Sequence, residues 1–248
     1  MNGLKEKLIK IKEVILYMKL MLIGGGEIGR GTTLYETKEI DEEIVKLSGK
    51  DKPKLLFIGL ASNFADSYYD YVKNIYKELG CEPVYLKKKN VTNNPDIVKN
   101  KISEADIIYI GGGDTIKLMD TVKEYKIDEL LKDAKDRDCV IAGISAGAIL
   151  LTKSGFSDSY ILRGESEDYK FIDGLNFVNI NICPHYHSND KKQNDLENYL
   201  KDNNIEVYGL ENCTALEIVN NEIKVIKSKQ DANVYLCKNE SKFIENVI

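Results

Sequence analysis

Short apolar runs that alternate with amphipathic stretches are the feature that most constrains the fold of this chain. Four such runs are Lys19–Ile23, Lys54–Ile58, Asp106–Ile110 and Cys139–Ala142. Because their apolar residues are continuous, they are typical of strands buried on both faces of a parallel sheet. The stretches between them have helical periodicity, at about 40–47, 66–79, 96–103 and 127–137. This alternation predicts right-handed crossovers with helices on both faces of the sheet.

The pattern changes toward the C-terminus. After two more predicted strands, Phe177–Ile182 and Glu206–Leu210, with a helix near 192–201 between them, three short segments follow at 214–219, 222–226 and 233–237. Their turn-like separations predict a terminal antiparallel meander. The sequence therefore predicts a three-layer α/β/α sandwich with a mostly parallel sheet, formed by one domain over residues 18–248 after an N-terminal extension at 1–17.

Composition narrows the possible partners and the compartment. With 43% apolar residues, the 248-residue chain can bury a substantial core, and its net charge of -5 lacks the basic excess that nucleic-acid binding requires. The five cysteines are odd in number and widely spaced, as expected for reduced thiols in a cytoplasmic protein. Charged residues interrupt the apolar stretch 8–23, so neither a signal peptide nor a membrane span is expected there. We expect no nucleic-acid or membrane partner, and a monomer or homodimer.

A glycine-rich turn follows the fourth apolar run and precedes an apolar helix start. The segment Gly143-Ile-Ser-Ala-Gly147 matches the nucleophile-elbow pattern in the strand-to-helix context that this pattern requires. Small neighbours allow the sharp turn that projects the hydroxyl of Ser145 above the sheet, and the amide of Ala146 lies at the following helix N-terminus. The alternative is a plain turn, or one that cradles a phosphate.

A serine nucleophile needs a base, and the chain contains only two histidines, His185 and His187. Both follow the strand that ends near Ile182, where open α/β sheets place their sites. A surface position or a metal pair remains an alternative for these histidines. The base in turn needs a carboxylate, and the candidates between Ser145 and His185 are Asp158, Glu165, Glu167, Asp168 and Asp173.

Two further glycine clusters follow predicted strands. Gly111-Gly-Gly113 can supply unshielded amide donors for an oxyanion hole, or form a turn in which Asp114 or Thr115 caps the next helix. The segment 24–29 satisfies a dinucleotide-binding pattern, but the next strand ends without the acidic residue that a ribose needs. Nucleotide binding and a non-catalytic small-ligand site thus remain alternatives to catalysis.

Taken together, the segments 111–115, 143–148 and Cys183-Pro-His-Tyr186 resemble the peptidase E family of aspartyl dipeptidases, which includes cyanophycinase-like relatives. The resemblance implies a class I glutamine-amidotransferase-like, flavodoxin-like sandwich that needs no metal or cofactor. It implies Ser145 as nucleophile, His185 as base, and Gly113, Ala146 and Gly112 as oxyanion donors. Asp158 is the implied acid of the triad, with Glu165 in reserve.

Two positions depart from the family pattern. Asp114 stands where peptidase E has asparagine in its glycine motif, and Lys191 or Lys192 stands near the family's substrate-binding arginine. Because a lysine is only a point-charge substitute for a bidentate guanidinium, this departure weakens the prediction of cleavage after an N-terminal aspartate. We expect a serine peptidase for small peptides or related amides, with Asp114 and Lys192 in substrate binding.

Overall fold

The computed structural model describes residues 18–63 and 65–239, so the predicted extension at 1–17 lies outside the described residues. In chain order the strands are β1 (Lys19–Ile23), β2 (Lys54–Ile58), β3 (Glu82–Leu86), β4 (Ile107–Ile110), β5 (Val140–Ile144), β6 (Thr152–Ser157), β7 (Lys170–Asp173), β8 (Val178–Pro184), β9 (Val207–Leu210), β10 (Thr214–Val219), β11 (Glu222–Lys227) and β12 (Val234–Cys237). The helices are α1 (Lys38–Ser48), α2 (Ala65–Glu78), α3 (Lys88–Asn93), α4 (Pro95–Glu104), α5 (Thr115–Glu124), α6 (Ile127–Lys135), α7 (Ala146–Leu151), α8 (Ser159–Leu162) and α9 (Asp190–Asp202).

The larger sheet has seven strands in the order β11-β10-β1-β5-β4-β2-β3. Its five strands from β1 to β3 in this order are parallel, whereas β10 and β11 add as an antiparallel hairpin. Alternate residues of each strand face opposite sides, so Met21 and Tyr109 pack with α1 and α2. Leu22 and Ile108 pack on the other side with α4 to α7. The predicted α/β sandwich with a mostly parallel sheet is confirmed.

A second sheet was not expected from the sequence. Its five strands lie in the order β12-β9-β8-β6-β7, and β6, β8 and β9 are parallel. The predicted meander is therefore wrong in its last strand, because β12 pairs with β9 while β10 and β11 form the hairpin. Strand β6 was not predicted, because its buried face carries hydroxyl side chains such as Thr152 in place of apolar ones. The hydrogen bonds of these hydroxyl groups compensate for their burial.

The remaining sequence expectations concern cysteines and membranes. All five cysteines are free thiols, and four of them are buried in the core. Across residues 18–63 and 65–239, no helix combines the length and the apolar character that crossing a bilayer would require.

Candidate active site

Ser145 occupies the turn between β5 and α7 in a conformation that few residues adopt. Its backbone has φ 54° and ψ -114°, and its amide donates to the carbonyl of Ile23 at 3.0 Å. The turn is so tight that a side chain at Gly147 would collide with the carbonyl oxygen of Ile110. Strained backbone of this kind persists only where the surroundings enforce it, and here it leaves the Ser145 hydroxyl partly exposed at the end of the sheet.

His185 directly follows β8 and lies beside this serine. Its Nε2 atom is 3.0 Å from the Ser145 Oγ. The His185 backbone has φ 52°, and its amide donates to the carbonyl of Gly24 at 3.0 Å. Because Gly24 follows Ile23 directly, adjacent carbonyls at the end of β1 hold the backbones of both residues. This geometry permits proton transfer from the hydroxyl to the imidazole.

The other ring nitrogen of His185 contacts an amide. Its Nδ1 atom lies 2.6 Å from the Oδ1 of Asn212, in the loop between β9 and β10. Since an amide oxygen only accepts, Nδ1 carries the proton and Nε2 is left free to accept from the serine. Asn212 was not predicted, because the expected partner of the histidine was a carboxylate that precedes it in the chain. Asparagine fills the same position in Cys-His-Asn constellations, so an amide after the histidine was a usable signal.

Asp158, the expected acid of the triad, does not make that hydrogen bond. It lies between β6 and α8, in a segment fixed by hydroxyl groups: Ser159 Oγ accepts from the Thr115 amide at 2.7 Å, and Ser157 Oγ lies 3.0 Å from that of Ser159. Asp158 influences the imidazole only through its charge, which raises the pKa of His185. The reserve choice, Glu165, pairs with Arg163 at 2.8 Å on the surface.

Opposing effects set the pKa of His185 below its usual value of 6.5. Burial has the largest effect and lowers it, and the nearby charge of Lys192 lowers it further. The hydrogen bond to Asn212 and the charges of Asp158 and Glu27 raise it, without reversing the direction. The imidazole is therefore unprotonated at neutral pH, as a general base must be.

A cavity of about 290 Å³ opens above Ser145. Its lining includes His185, Asn212, Gly112 and Gly113, and a side chain at Gly112 would come within 3.2 Å of the Ser145 Cβ. The Gly112 amide interacts with the Tyr68 hydroxyl, whereas Gly113 is exposed to the cavity. Gly112 and Gly113 thus lie in the cavity lining with Ser145, and Ala146 follows Ser145 in the chain; their role as oxyanion donors stays a prediction.

One arginine also lines this cavity. Arg30 stacks on the Tyr68 ring, with its guanidinium carbon 5.4 Å from the ring centroid. Its Nε and Nη2 atoms donate to the two oxygens of Glu27 at 2.8 and 2.7 Å. Arg30 lies in the loop after β1 and was not predicted from the sequence as a site residue.

The two residues expected to bind substrate have other partners. Lys192 is buried, donates to the carbonyl of Pro184 at 2.5 Å and packs over the Tyr169 ring. Asp114 caps α5, accepting from the amides of Ile116 and Lys117 at 2.9 and 3.2 Å. Neither residue lines the cavity above Ser145, and their role in substrate binding stays a prediction.

The geometry does not support the alternative roles of two other motifs, a metal site at the histidines and a nucleotide site at residues 24–29. His187 contacts Glu211, and its ring packs edge-on against Tyr235 at 4.7 Å. Within the described part of the chain, no group of three histidine, cysteine or acidic side chains could hold a metal ion. The glycines at 24–26 pack against the active-site loops, since a side chain at Gly25 would collide with His185 and Asn212. This close approach of the loops accounts for the glycines at 24–26.

Comparisons with known proteins agree with this geometry. The sequence matches the model of peptidase family S51 over residues 20–226. It is 28% identical to the uncharacterized peptidase YgaJ of Bacillus subtilis (strain 168), over 88% of this chain and 90% of that protein. It is 27% identical to peptidase E of Nostoc sp. (strain PCC 7120), over 88% of each protein.

A solved structure shares the fold. The crystal structure of a peptidase from an acI-B1 Actinobacterium superimposes with a TM-score of 0.67 at 22% identity, covering 91% of this chain and 92% of that one. The family match extends from β1 to β11 and includes the elbow, the triple glycine and His185. The chain belongs to peptidase family S51 and is a serine-type peptidase.

Proposed function

We propose that this protein hydrolyses small peptides through an acyl-enzyme formed on Ser145, with His185 as the general base. The observation that carries the proposal is the 3.0 Å contact between His185 Nε2 and Ser145 Oγ. The bond from Nδ1 to Asn212 supports it further, because it presents the lone pair of Nε2 to the hydroxyl.

The reaction follows from these roles in two steps. His185 takes the hydroxyl proton as Ser145 Oγ attacks the scissile carbonyl, and the oxyanion receives hydrogen bonds from the amides of Gly113 and Ala146. The imidazolium then gives its proton to the leaving amine, and the carbon–nitrogen bond breaks. In the second step His185 takes a proton from water as the water oxygen attacks the ester carbonyl. The imidazolium then returns this proton to Ser145 Oγ as the carbon–oxygen bond breaks, which releases the acid.

Replacing the nucleophile tests this mechanism directly. We expect Ser145→Ala to lower kcat by about 10⁴-fold or more, since only the oxyanion donors and substrate binding would then contribute. The measurement is hydrolysis of a dipeptide panel, with the melting temperature as a control for folding. A folded Ser145→Ala protein that keeps a rate near that of the wild type would reject the mechanism.

We propose that Asp-X dipeptides are among the substrates, with Arg30 as the group that binds the acidic side chain. Arg30 supports this role because it is the arginine in the cavity lining, and its planar fork suits a carboxylate. The substrate carboxylate would exchange with Glu27, the present partner of Arg30.

A panel of dipeptides and amino-acid amides with acidic, neutral and basic first residues tests this preference. We expect the highest kcat/KM for an acidic first residue, and a loss of about tenfold or more for that substrate alone in Arg30→Gln, because a charge-assisted hydrogen bond is removed. Arg163→Gln is the matched control, since that arginine pairs with Glu165 on the surface. Equal losses for all substrates in Arg30→Gln would contradict the assignment.

A further inference from the structure

A second, larger cavity lies next to the active-site cavity and is lined by lysines. It has a volume of about 580 Å³, twice that of the cavity above Ser145. The residues Lys87, Lys88, Lys89 and Lys117 contribute to its lining, and we call it the lysine cavity. Three of them follow the end of β3 and the fourth lies on α5, so the fold brings them together from separate parts of the chain.

Lysines outnumber acidic residues in the lining of this cavity. Within residues 18–63 and 65–239, none of the four lysines forms an ion pair, and the Lys117 amine donates to the side-chain oxygen of Asn63 at 2.6 Å. The acidic residue in the lining, Asp66, interacts with the Tyr85 hydroxyl. The chain as a whole has a net charge of -5, so the four lysines form a local positive region in an acidic protein. Such a region is expected to attract an anion.

The lysine cavity borders the active-site cavity. Ser62, in the loop after β2, lines both cavities. In the sheet order β5-β4-β2-β3, the nucleophile follows β5 and the lysine run follows β3. Three strand spacings separate them, or about 14 Å, which an extended peptide covers in roughly four residues. A dipeptide bound at Ser145 cannot reach the lysines.

The direction of the substrate chain follows from the position of the base. His185 must protonate the leaving amine, so the residues after the scissile bond lie on the His185 side, toward β1 and β10. The residues before that bond then run the other way, past the triple glycine toward β2 and β3. They are the part of a longer substrate that meets the lysine cavity.

We propose that the lysine cavity binds acidic side chains of a peptide substrate, at roughly the third to fifth residues before the scissile bond. This inference rests on the proposed peptidase function and extends its substrates from dipeptides to longer acidic peptides. Lysine ammonium groups act as point charges that several carboxylates can share, so the cavity selects negative charge more than a particular sequence.

Binding of labelled peptides to the full-length Ser145→Ala protein tests this proposal without cleavage. The probe is acetyl-Glu-Glu-Glu-Ala-Asp-Ala-Ala-Ala carrying a C-terminal fluorophore. One comparison peptide has glutamine in place of the three glutamates, and another carries the three glutamates after the Asp-Ala bond. We expect the first peptide to bind about tenfold more tightly than both others at low salt, with the advantage lost as salt screens the charges.

Matched triple variants assign the effect to the cavity. In the Ser145→Ala background, Lys87→Gln, Lys88→Gln and Lys89→Gln together should remove the tenfold advantage. Lys50→Gln, Lys52→Gln and Lys99→Gln together should preserve it, because they change the net charge equally at exposed lysines outside the cavity lining. Melting temperatures verify that both triple variants are folded.

Several outcomes would overturn the inference. They are equal binding of the glutamate and glutamine peptides, tighter binding of the peptide with glutamates after the bond, or equal losses in the two triple variants. Hydrolysis of the dipeptide panel by the wild-type protein is measured separately. Its absence would count against the proposed nucleophile, while the binding comparison would still decide whether the lysine cavity takes acidic side chains.

Discussion

The side chain that hydrogen-bonds to the proposed base His185 is the neutral amide of Asn212, and this affects the pKa of the imidazole. Its amide oxygen accepts from Nδ1 and so orients His185, as a carboxylate would. It supplies no full negative charge to the imidazolium, however, and the carboxylates of Asp158 and Glu27 act only through their charge. Burial therefore prevails, and the pKa of His185 stays below its usual 6.5.

Replacing this amide by a carboxylate should reverse the balance. We expect Asn212→Asp to raise the pKa of His185 by at least about one pH unit, because an adjacent negative charge favours the imidazolium. Activity requires the neutral imidazole and is lost as pH falls through this pKa. The acidic limb of the kcat/KM profile should therefore move to higher pH in Asn212→Asp. The same limb in both proteins would show that Asn212 does not control the base.

Asp158→Asn is the matched control for that profile. It removes a charge that raises the pKa of His185 without touching the hydrogen bond, so its acidic limb should move to lower pH. Asn212→Asp and Asp158→Asn each preserve the size of the side chain. Opposite shifts of the acidic limb in the two variants would therefore show that charge, and not packing, controls the pKa of His185.

At the scale of elements, the end of β1 organises the site. The consecutive carbonyls of Ile23, Gly24 and Gly25 accept hydrogen bonds from the amides of Ser145, His185 and Cys213, at 3.0, 3.0 and 2.9 Å. These amides belong to three different loops, after β5, β8 and β9. One strand end thus aligns Ser145, His185 and the loop that carries Asn212. The glycines permit this alignment because larger residues would separate the loops.

The central strands and the pairing of Ser145 with His185 were predictable because the sequence patterns that indicate them are local. Continuous apolar runs predict buried parallel strands, and small residues around Ser145 predict a sharp turn whatever lies elsewhere in the chain. Asn212 had no local signal of this kind, since its role depends on a contact across 27 positions of the chain. Helical periodicity likewise could not tell that Lys192 points inward to the carbonyl of Pro184. Contacts between distant elements decide such roles.

At the scale of the whole molecule, one buried carboxylate joins the loop beside the cavity to the helices beneath it. Asp41, in the first turn of α1, accepts hydrogen bonds from Tyr35 at 3.1 Å, Thr37 at 2.7 Å and Tyr76 of α2 at 2.7 Å. It is fully buried, and desolvation raises its pKa from 3.8 to about 6 although the three hydroxyl groups oppose this. Asp41 therefore links protonation to folding.

The sign of this linkage is opposite to that of a salt-bridged acid. Between pH 3.8 and about 6 the folded protein binds a proton at Asp41 that the unfolded chain has released. This group's contribution to the free energy of unfolding consequently decreases as pH rises through that window, and it is constant above it. The two pKa values correspond to a change on the order of 3 kcal/mol.

Asp41→Asn removes the ionisable group while keeping its size and an accepting oxygen. Only the wild type gains stability from this group as pH falls from about 7 to about 4. We therefore expect the free energy of unfolding of the variant to decrease relative to that of the wild type by a few kcal/mol over that range. Urea unfolding of both proteins across this range measures the difference. Glu43→Gln is the control of opposite sign, because Lys46 lowers the pKa of Glu43 and its contribution disappears in acid. A difference between the wild type and Asp41→Asn that does not vary with pH would mean that Asp41 keeps an ordinary pKa, and that its hydroxyl partners offset the cost of burial completely.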